Sequence, residues 1–302
     1  MTEYKDLGHM TEDPNASKKS ETSTGISIND TLMVGPSIQE DLFSLLIRFR
    51  SHAYAMTADI EKMYREIYIH PDDHKFQKIL WRENPSQPVK MFTSNTVTYG
   101  NSSASFLATR LLVQLANDEG ELFPNASVAL KEDFYMDDLL TGANTFDEAE
   151  SLINELKAVT RKGGMHLRQW ASNDPELINT VSDDTKNSHL QWASNDPELI
   201  NTVSDDTKNS HLFLNLGETT ITLGVYWNPQ LDIFKYTVHS PKVVALVTKR
   251  IILSQIAQLF DPLGLLGPVI LRAKILMQSL WDSKLDWDDP VPEEIHVAWL
   301  EY

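Results

Sequence analysis

Two carboxylates stand side by side in the run Phe134-Tyr135-Met136-Asp137-Asp138-Leu139-Leu140, whose apolar flanks otherwise read as buried strands. Burying two like charges together is costly, so Asp137 and Asp138 call for a compensating charge. Hard carboxylate oxygens suit magnesium, and a hairpin turn presents both groups to one ion. An exposed Asp-Asp turn between ordinary strands is the plainer reading, because aspartate is common in turns. Asp59, in Ala58-Asp59-Ile60-Glu61-Lys62-Met63-Tyr64, is a further carboxylate with apolar flanks, at the end of an expected strand. Alone it fits a helix N-cap equally well. Taken together, three carboxylates from two strand ends can hold two metal ions about 3.5–4 Å apart, the arrangement that activates a hydroxyl and stabilises the leaving group in nucleotidyl transfer.

The elements that must position these groups follow from periodicity and punctuation. Residues 54–60 read as a strand entering the site, and 61–67 as a turn or short helix. Strand material recurs at 68–69, 77–81 and 92–99. Ser37 can cap a helix whose apolar face is Ile38, Leu42, Leu45, Leu46 and Phe49, with Glu40 and Asp41 in its first turn. Residues 103–117 and 146–162 have helical spacing, and 134–142 resembles a hairpin. Further on, 219–227 and 231–238 alternate around Asn228-Pro229 as a second hairpin. Two helices, 241–260 and 268–281, are separated by Asp261-Pro262-Leu263-Gly264. Strands and helices mix without a Rossmann alternation, which makes α+β the expected class.

The 302 residues, 41% hydrophobic, can bury one large core or two modest ones. Residues 1–27 are polar and rich in Ser, Thr and Lys, the composition of an unordered leader. No apolar stretch suits a signal peptide or a membrane span, so the expectation is an intracellular, cytoplasmic protein with no membrane partner. The absence of cysteine excludes disulfides and thiolate zinc sites. A net charge of -17 is the wrong overall sign for holding a phosphate backbone. Local potential decides such binding, however, and Arg161-Lys162 and Lys249-Arg250 are basic clusters able to line a groove. No sequence feature sets an oligomeric state.

Residues 169–190, QWASNDPELINTVSDDTKNSHL, recur without a difference at 191–212. Two polar copies cannot build a solenoid. One copy is expected to fill a structural slot and the other to bulge out as a surface loop, which costs little closure entropy.

The segments TADIEKMYREI, TVTYGNSSASFLA, DFYMDDLLTGA, QWASNDPEL, LGVYWNP and LSQIAQLFDPLGLLGPV occur in this order, and over residues 28–292 the chain resembles the Pao/BEL retrotransposon polyprotein in its reverse transcriptase region. The resemblance implies a right-hand polymerase palm with partial fingers over 28–168, then the duplication at 169–212. A thumb/connection-like region would follow over 213–302, without an RNase H domain and ending within a helix of a longer polypeptide. It implies that Asp59, Asp137 and Asp138 are catalytic metal ligands for two Mg2+ ions, with Mn2+ as a substitute, and that Tyr135 and Met136 complete the signature. Tyr64 would sit under the incoming sugar, or else be a core aromatic. Tyr99 and Gly100 would contact the nucleotide, small residues there permitting close backbone approach. Ser105 stands where the family pattern has proline. Lys162 could donate a proton to pyrophosphate, or be a surface lysine at a helix end. Trp170 or its copy Trp192 would grip the primer, or pack one domain on another. The implied partners are a primed RNA or DNA template and deoxynucleoside triphosphates. Against this, a fingers segment bearing a triphosphate-binding basic residue is missing between residues 10 and 13. The alternative is therefore an inert retroelement fragment, at most a nucleic-acid or protein binding module.

Overall fold

The run Tyr54–Ile60 alternates, with Tyr54, Met56, Ala58 and Ile60 on one face and Ala55, Thr57 and Asp59 on the other, and in the computed structural model it becomes an inner strand of a four-stranded sheet. The structure describes residues 7–12, 26–181, 220–236, 247–281 and 285–302 and divides into two units, Met1–Asp196 and Pro197–Tyr302. Both units are mixed or adjoining α and β structure.

The first unit runs β1 (Met10–Glu12), α1 (Ile28–Thr31), α2 (Leu42–Ser51), β2 (Tyr54–Ile60), α3 (Met63–Glu66), a 3-10 turn at Pro71–Phe76, β3 (Lys78–Trp81) and β4 (Lys90–Ser94). There follow α4 (Ala104–Glu119), α5 (Pro124–Glu132), β5 (Phe134–Tyr135), β6 (Asp138–Ala143), α6 (Phe146–Lys162), β7 (Leu167–Ser172) and α7 (Pro175–Thr180). The main sheet has the order β5-β6-β2-β7, antiparallel throughout. Met56, Ala58, Ile60, Leu139 and Leu167 face a core that also takes Ala108 and Leu112 of α4, Leu130 of α5 and Ile153 and Leu156 of α6. Helix α2 packs on β5 and β6, burying Leu45, Leu46 and Phe49 outside that core.

Local chemistry explains the helix ends. A capping box of Thr145 and Glu148 starts α6, and Gly164, at φ +75°, follows its end. Helix α2 begins at Leu42 rather than Ile38, because Asp41 accepts from the Ser44 N–H at 3.0 Å while Ser37 is not used as a cap. Gln39 and Glu40 are engaged in tertiary contacts instead.

Part of the expected leader is a strand: Met10–Glu12 pairs with β4, giving a second sheet of order β1-β4-β3. Met10 and His9 are buried there. The pairing partner lies about eighty residues downstream, beyond the reach of local pattern.

The first repeat copy fills the structural slot. Its Gln169-Trp170-Ala171-Ser172 forms most of β7, and its Pro175–Thr180 forms α7, with Leu177 and Val181 fully buried. The second copy, at 191–212, lies outside the described residues.

In the second unit β8 (Thr220–Thr222), β9 (Val225–Asn228) and β10 (Ile233–Lys235) form an antiparallel sheet of order β10-β9-β8. The expected single strand over 219–227 is two, folded back at Leu223 and Gly224, both at positive φ as a tight hairpin turn demands. Helices α8 (Lys249–Ile256), α9 (Gly267–Trp281) and α10 (Glu293–Leu300) share a core of Ile252, Ala273, Met277, Leu280 and Trp299. Asp261 receives the Leu265 and Leu266 N–H groups and the Tyr236 hydroxyl, fixing the turn between α8 and α9. Among the described residues, no helix is long and apolar enough to cross a membrane.

The slot assignment separates two otherwise identical leucines. Leu177→Ala is expected to cost about 2–5 kcal/mol, as a fully buried leucine does, whereas Leu199→Ala in the second copy should lie within about 0.5 kcal/mol of the parent. Urea unfolding of the two variants measures the difference.

Candidate functional site

Residues directly opposite in an antiparallel ladder share a face, so the register Asp59↔Asp138 puts both carboxylates on the side away from the main core. Leu139, one position on, points into that core and is fully buried. The intervening loop is short: Tyr135 pairs with Asp138, leaving Met136 and Asp137 as the turn. Met136 adopts φ +59°, a left-handed conformation that costs a non-glycine residue about 1–2 kcal/mol. The loop is fastened to the end of β2 by the Ile60 N–H, which donates to the Asp137 carbonyl at 2.9 Å. Thus Asp59, Asp137 and Asp138 lie at one end of the sheet.

The electrostatics are those of crowded negative charge. Burial pushes the Asp59 carboxyl up to about 7, and the charges of Asp137, Asp138 and Glu61 push in the same direction. Burial also raises Asp137, opposed by a hydrogen bond from its own backbone N–H. The nearest basic group on the ladder, Arg168, stands opposite Asp59 but is paired through Nε with Glu61 Oε2 at 2.6 Å.

Tyr64 and Tyr99 lie beside these carboxylates. Their rings meet edge to face at 4.6 Å, and the charge of Asp137 raises both phenols after the larger effect of burial. Tyr64 is a core residue with 8% exposure, and Tyr99 is 77% exposed. The Ser105 hydroxyl acts on the Tyr64 phenol to lower it against the larger effect of burial, an influence that proline could not have. Gly100 is needed for conformation rather than for close approach: its φ is +86° and a Cβ would meet nothing within 4 Å. Trp170 packs in the main core, with its indole N–H buried and without a hydrogen-bond partner. Trp192 lies outside the described residues. Lys162, at the end of α6, is paired with Glu119 at 2.6 Å and lies over the Phe123 ring.

Residues 248–302 match the family model described as Pao retrotransposon-like RNaseH-like domain. The match supports a Pao retrotransposon polyprotein. No curated protein matches the chain. The matched residues fall within the region expected to be thumb/connection-like, and the description that they match is that of an RNaseH-like domain. Its described residues form three helices, with Asp261 capping a turn and Asp288 paired to Arg250 at 2.7 Å.

Among the described residues, no three His, Asp or Glu side chains stand close enough, as placed, to hold a metal ion. The donor chemistry at the sheet end nevertheless fits a divalent cation: hard oxygens only, and an Asp59 raised first by burial and then by the negative charges of Asp137, Asp138 and Glu61.

A carboxyl raised in the folded state holds its proton more tightly folded than unfolded. Its contribution to stability is present below the ordinary carboxyl range and is lost as pH rises towards about 7. Asp59→Asn should therefore stabilise the metal-free chain at pH 8, by on the order of 1–2 kcal/mol after solvent screening, and do little at pH 4. Urea midpoints at the two pH values measure this.

Proposed function

We propose that the first unit is the polymerase part of a Pao-type retroelement polyprotein, an RNA-directed DNA polymerase palm that performs metal-dependent nucleotidyl transfer. The observation that carries the reading is the Asp59↔Asp138 register with Asp137 at the adjoining turn. The ordered sequence resemblance supports it independently. Asp59, Asp137 and Asp138 would hold two Mg2+ ions, with Mn2+ as a substitute. When bound, such ions supply a lowered hydroxyl pKa and stabilise pyrophosphate leaving. The chain's own residues would position the substrates. Tyr64, fixed by its place in the core and by its edge-to-face contact with Tyr99, would give a rigid wall under the sugar of a deoxynucleoside triphosphate, and exposed Tyr99 beside Gly100 would cover the base or sugar. A primed RNA or DNA template is the implied partner, with buried Trp170 supporting the primer side from beneath.

A second reading rests on the family match: the RNaseH-like description points to nuclease chemistry. It too needs a metal-holding group, and among the described residues neither residues 248–302 nor the carboxylate end of the sheet brings three such side chains close enough as placed.

Extension of a primed RNA template by the purified chain in Mg2+ separates these readings. Incorporation is expected, is abolished by EDTA, and falls at least about 100-fold in Asp137→Asn, the scale for losing one group that stabilises transition-state charge. Cleavage of an RNA–DNA hybrid without incorporation, unaffected by Asp137→Asn, would establish the nuclease reading in its place.

A further inference from the structure

The hairpin that carries Asp137 and Asp138 has no turn sequence that sets its own register. Two-residue turns favour Asn-Gly or Asp-Gly, and here Met136-Asp137 stands in that place with Met136 at an unfavourable φ. Register still matters greatly, because a slip of one residue sends Asp138 to the core face occupied by Leu139. Something outside the turn must hold it.

Asp133, the residue before β5, makes three such attachments. Its carbonyl accepts from the Leu140 N–H at 2.9 Å, and its Oδ2 accepts from the Thr141 hydroxyl at 2.6 Å, so one residue at the start of the hairpin grips two consecutive residues of the returning strand. Its Oδ1 accepts from Arg48 Nη1 at 3.2 Å. Arg48 in turn donates to the Glu132 carbonyl at 2.6 Å and pairs with Glu40. The network is well shielded, with Asp133 only 8% exposed. At the other end of the hairpin, Gln39 Oε1 accepts from the Met136 N–H at 3.4 Å. The segment containing Gln39, Glu40 and Arg48 therefore touches the hairpin at its base and at its tip.

We propose that Arg48, Asp133 and Thr141 form a positioning clamp that fixes the register of the hairpin and so sets Asp137 and Asp138 beside Asp59 for cation binding. The proposal rests on the reading of these carboxylates as metal ligands. The contacts of the clamp residues are with one another, with Glu40 and with the backbone of the hairpin, not with the three carboxylates. They act through the strand, as supporting groups around metal ligands do.

The test uses the full chain and Mn2+ alone, with affinity read by electron paramagnetic resonance titration and folding by circular dichroism and urea midpoint. Thr141→Val, which keeps shape and removes the hydroxyl, should remain folded and bind Mn2+ at least about 10-fold more weakly, the lower end for loss of a supporting group. Thr141→Ser should restore binding. Gln39→Ala, a change at the partly exposed tip contact, should weaken Mn2+ binding in the same direction without altering the urea midpoint. Folded Thr141→Val with parental affinity would overturn the clamp. So would loss of folding in Thr141→Val together with parental affinity in Gln39→Ala, which would mark the network as structural only. If the parent chain itself fails to bind Mn2+, or binds as well after Asp137→Asn, the metal-ligand reading falls and takes the clamp with it.

Discussion

The pairing of Asp59 with Asp138 across neighbouring strands sets their Cβ atoms about 5 Å apart, and two unit charges at that separation would repel by roughly 3 kcal/mol at an effective dielectric near 20. The same two strands bury Met56, Ala58, Ile60 and Leu139 on the opposite face. Each large apolar side chain contributes about 1.5–3 kcal/mol, so a few of them outweigh the repulsion. The charges survive where they are because they sit at the end of the sheet, half-buried, while the fully buried positions of the same strands are apolar or neutral.

The opposite flank of β2 shows how the sheet adjusts to that end. Between Thr57 and Asp59 the pairing with β7 shifts, with Ala171 facing the former and Arg168 the latter, so β7 has an extra residue. Gln169 takes up the irregularity at φ +57°. Bulges re-aim side chains, and this one keeps Trp170 in the core while Arg168 faces Asp59 and reaches Glu61. A guanidinium paired with Glu61 offsets part of the negative charge that Glu61 adds to the carboxylate cluster.

What could be read from the sequence divides along the range of the forces involved. The strand at 54–60 and the hairpin at 134–142 are visible because apolar flanks and a central polar pair are local signals, and both elements form. The meeting of Asp59 with Asp137 and Asp138 was implied by strand ends alone. The clamp was not, since nothing local ties Arg48 to Asp133 or Gln39 to Met136. Strand β1 was missed for the same reason: its three residues are held by β4 and have no periodicity of their own. The misplaced start of α2 is a competition between caps. Ser37 and Asp41 both qualify by type, and Asp41 prevails because its carboxylate bonds both the backbone and the hydroxyl of Ser44. Ser105 was read as a departure from a pattern, and only the three-dimensional neighbour Tyr64 gives it a use.

The identical repeats pose the sharpest problem, because sequences with the same letters cannot differ in their own preference for β7. The difference lies in the residues just before each copy. Leu167 and Arg168 precede the first, whereas His189 and Leu190 precede the second. Leu167 is 3% exposed in the core, and Arg168 is bonded to Glu61. Docking the second copy in the same register would bury a histidine at the place of Leu167 and set Leu190 opposite Asp59, leaving Glu61 without its guanidinium. Both changes are unfavourable, one by desolvating an imidazole and the other by leaving Glu61 only its longer pairing with Lys62, beside an Asp59 already raised by burial and by its negative neighbours. The choice of repeat is thus made by the carboxylate end of the sheet: the strand that completes the fold is the one that brings an arginine with it.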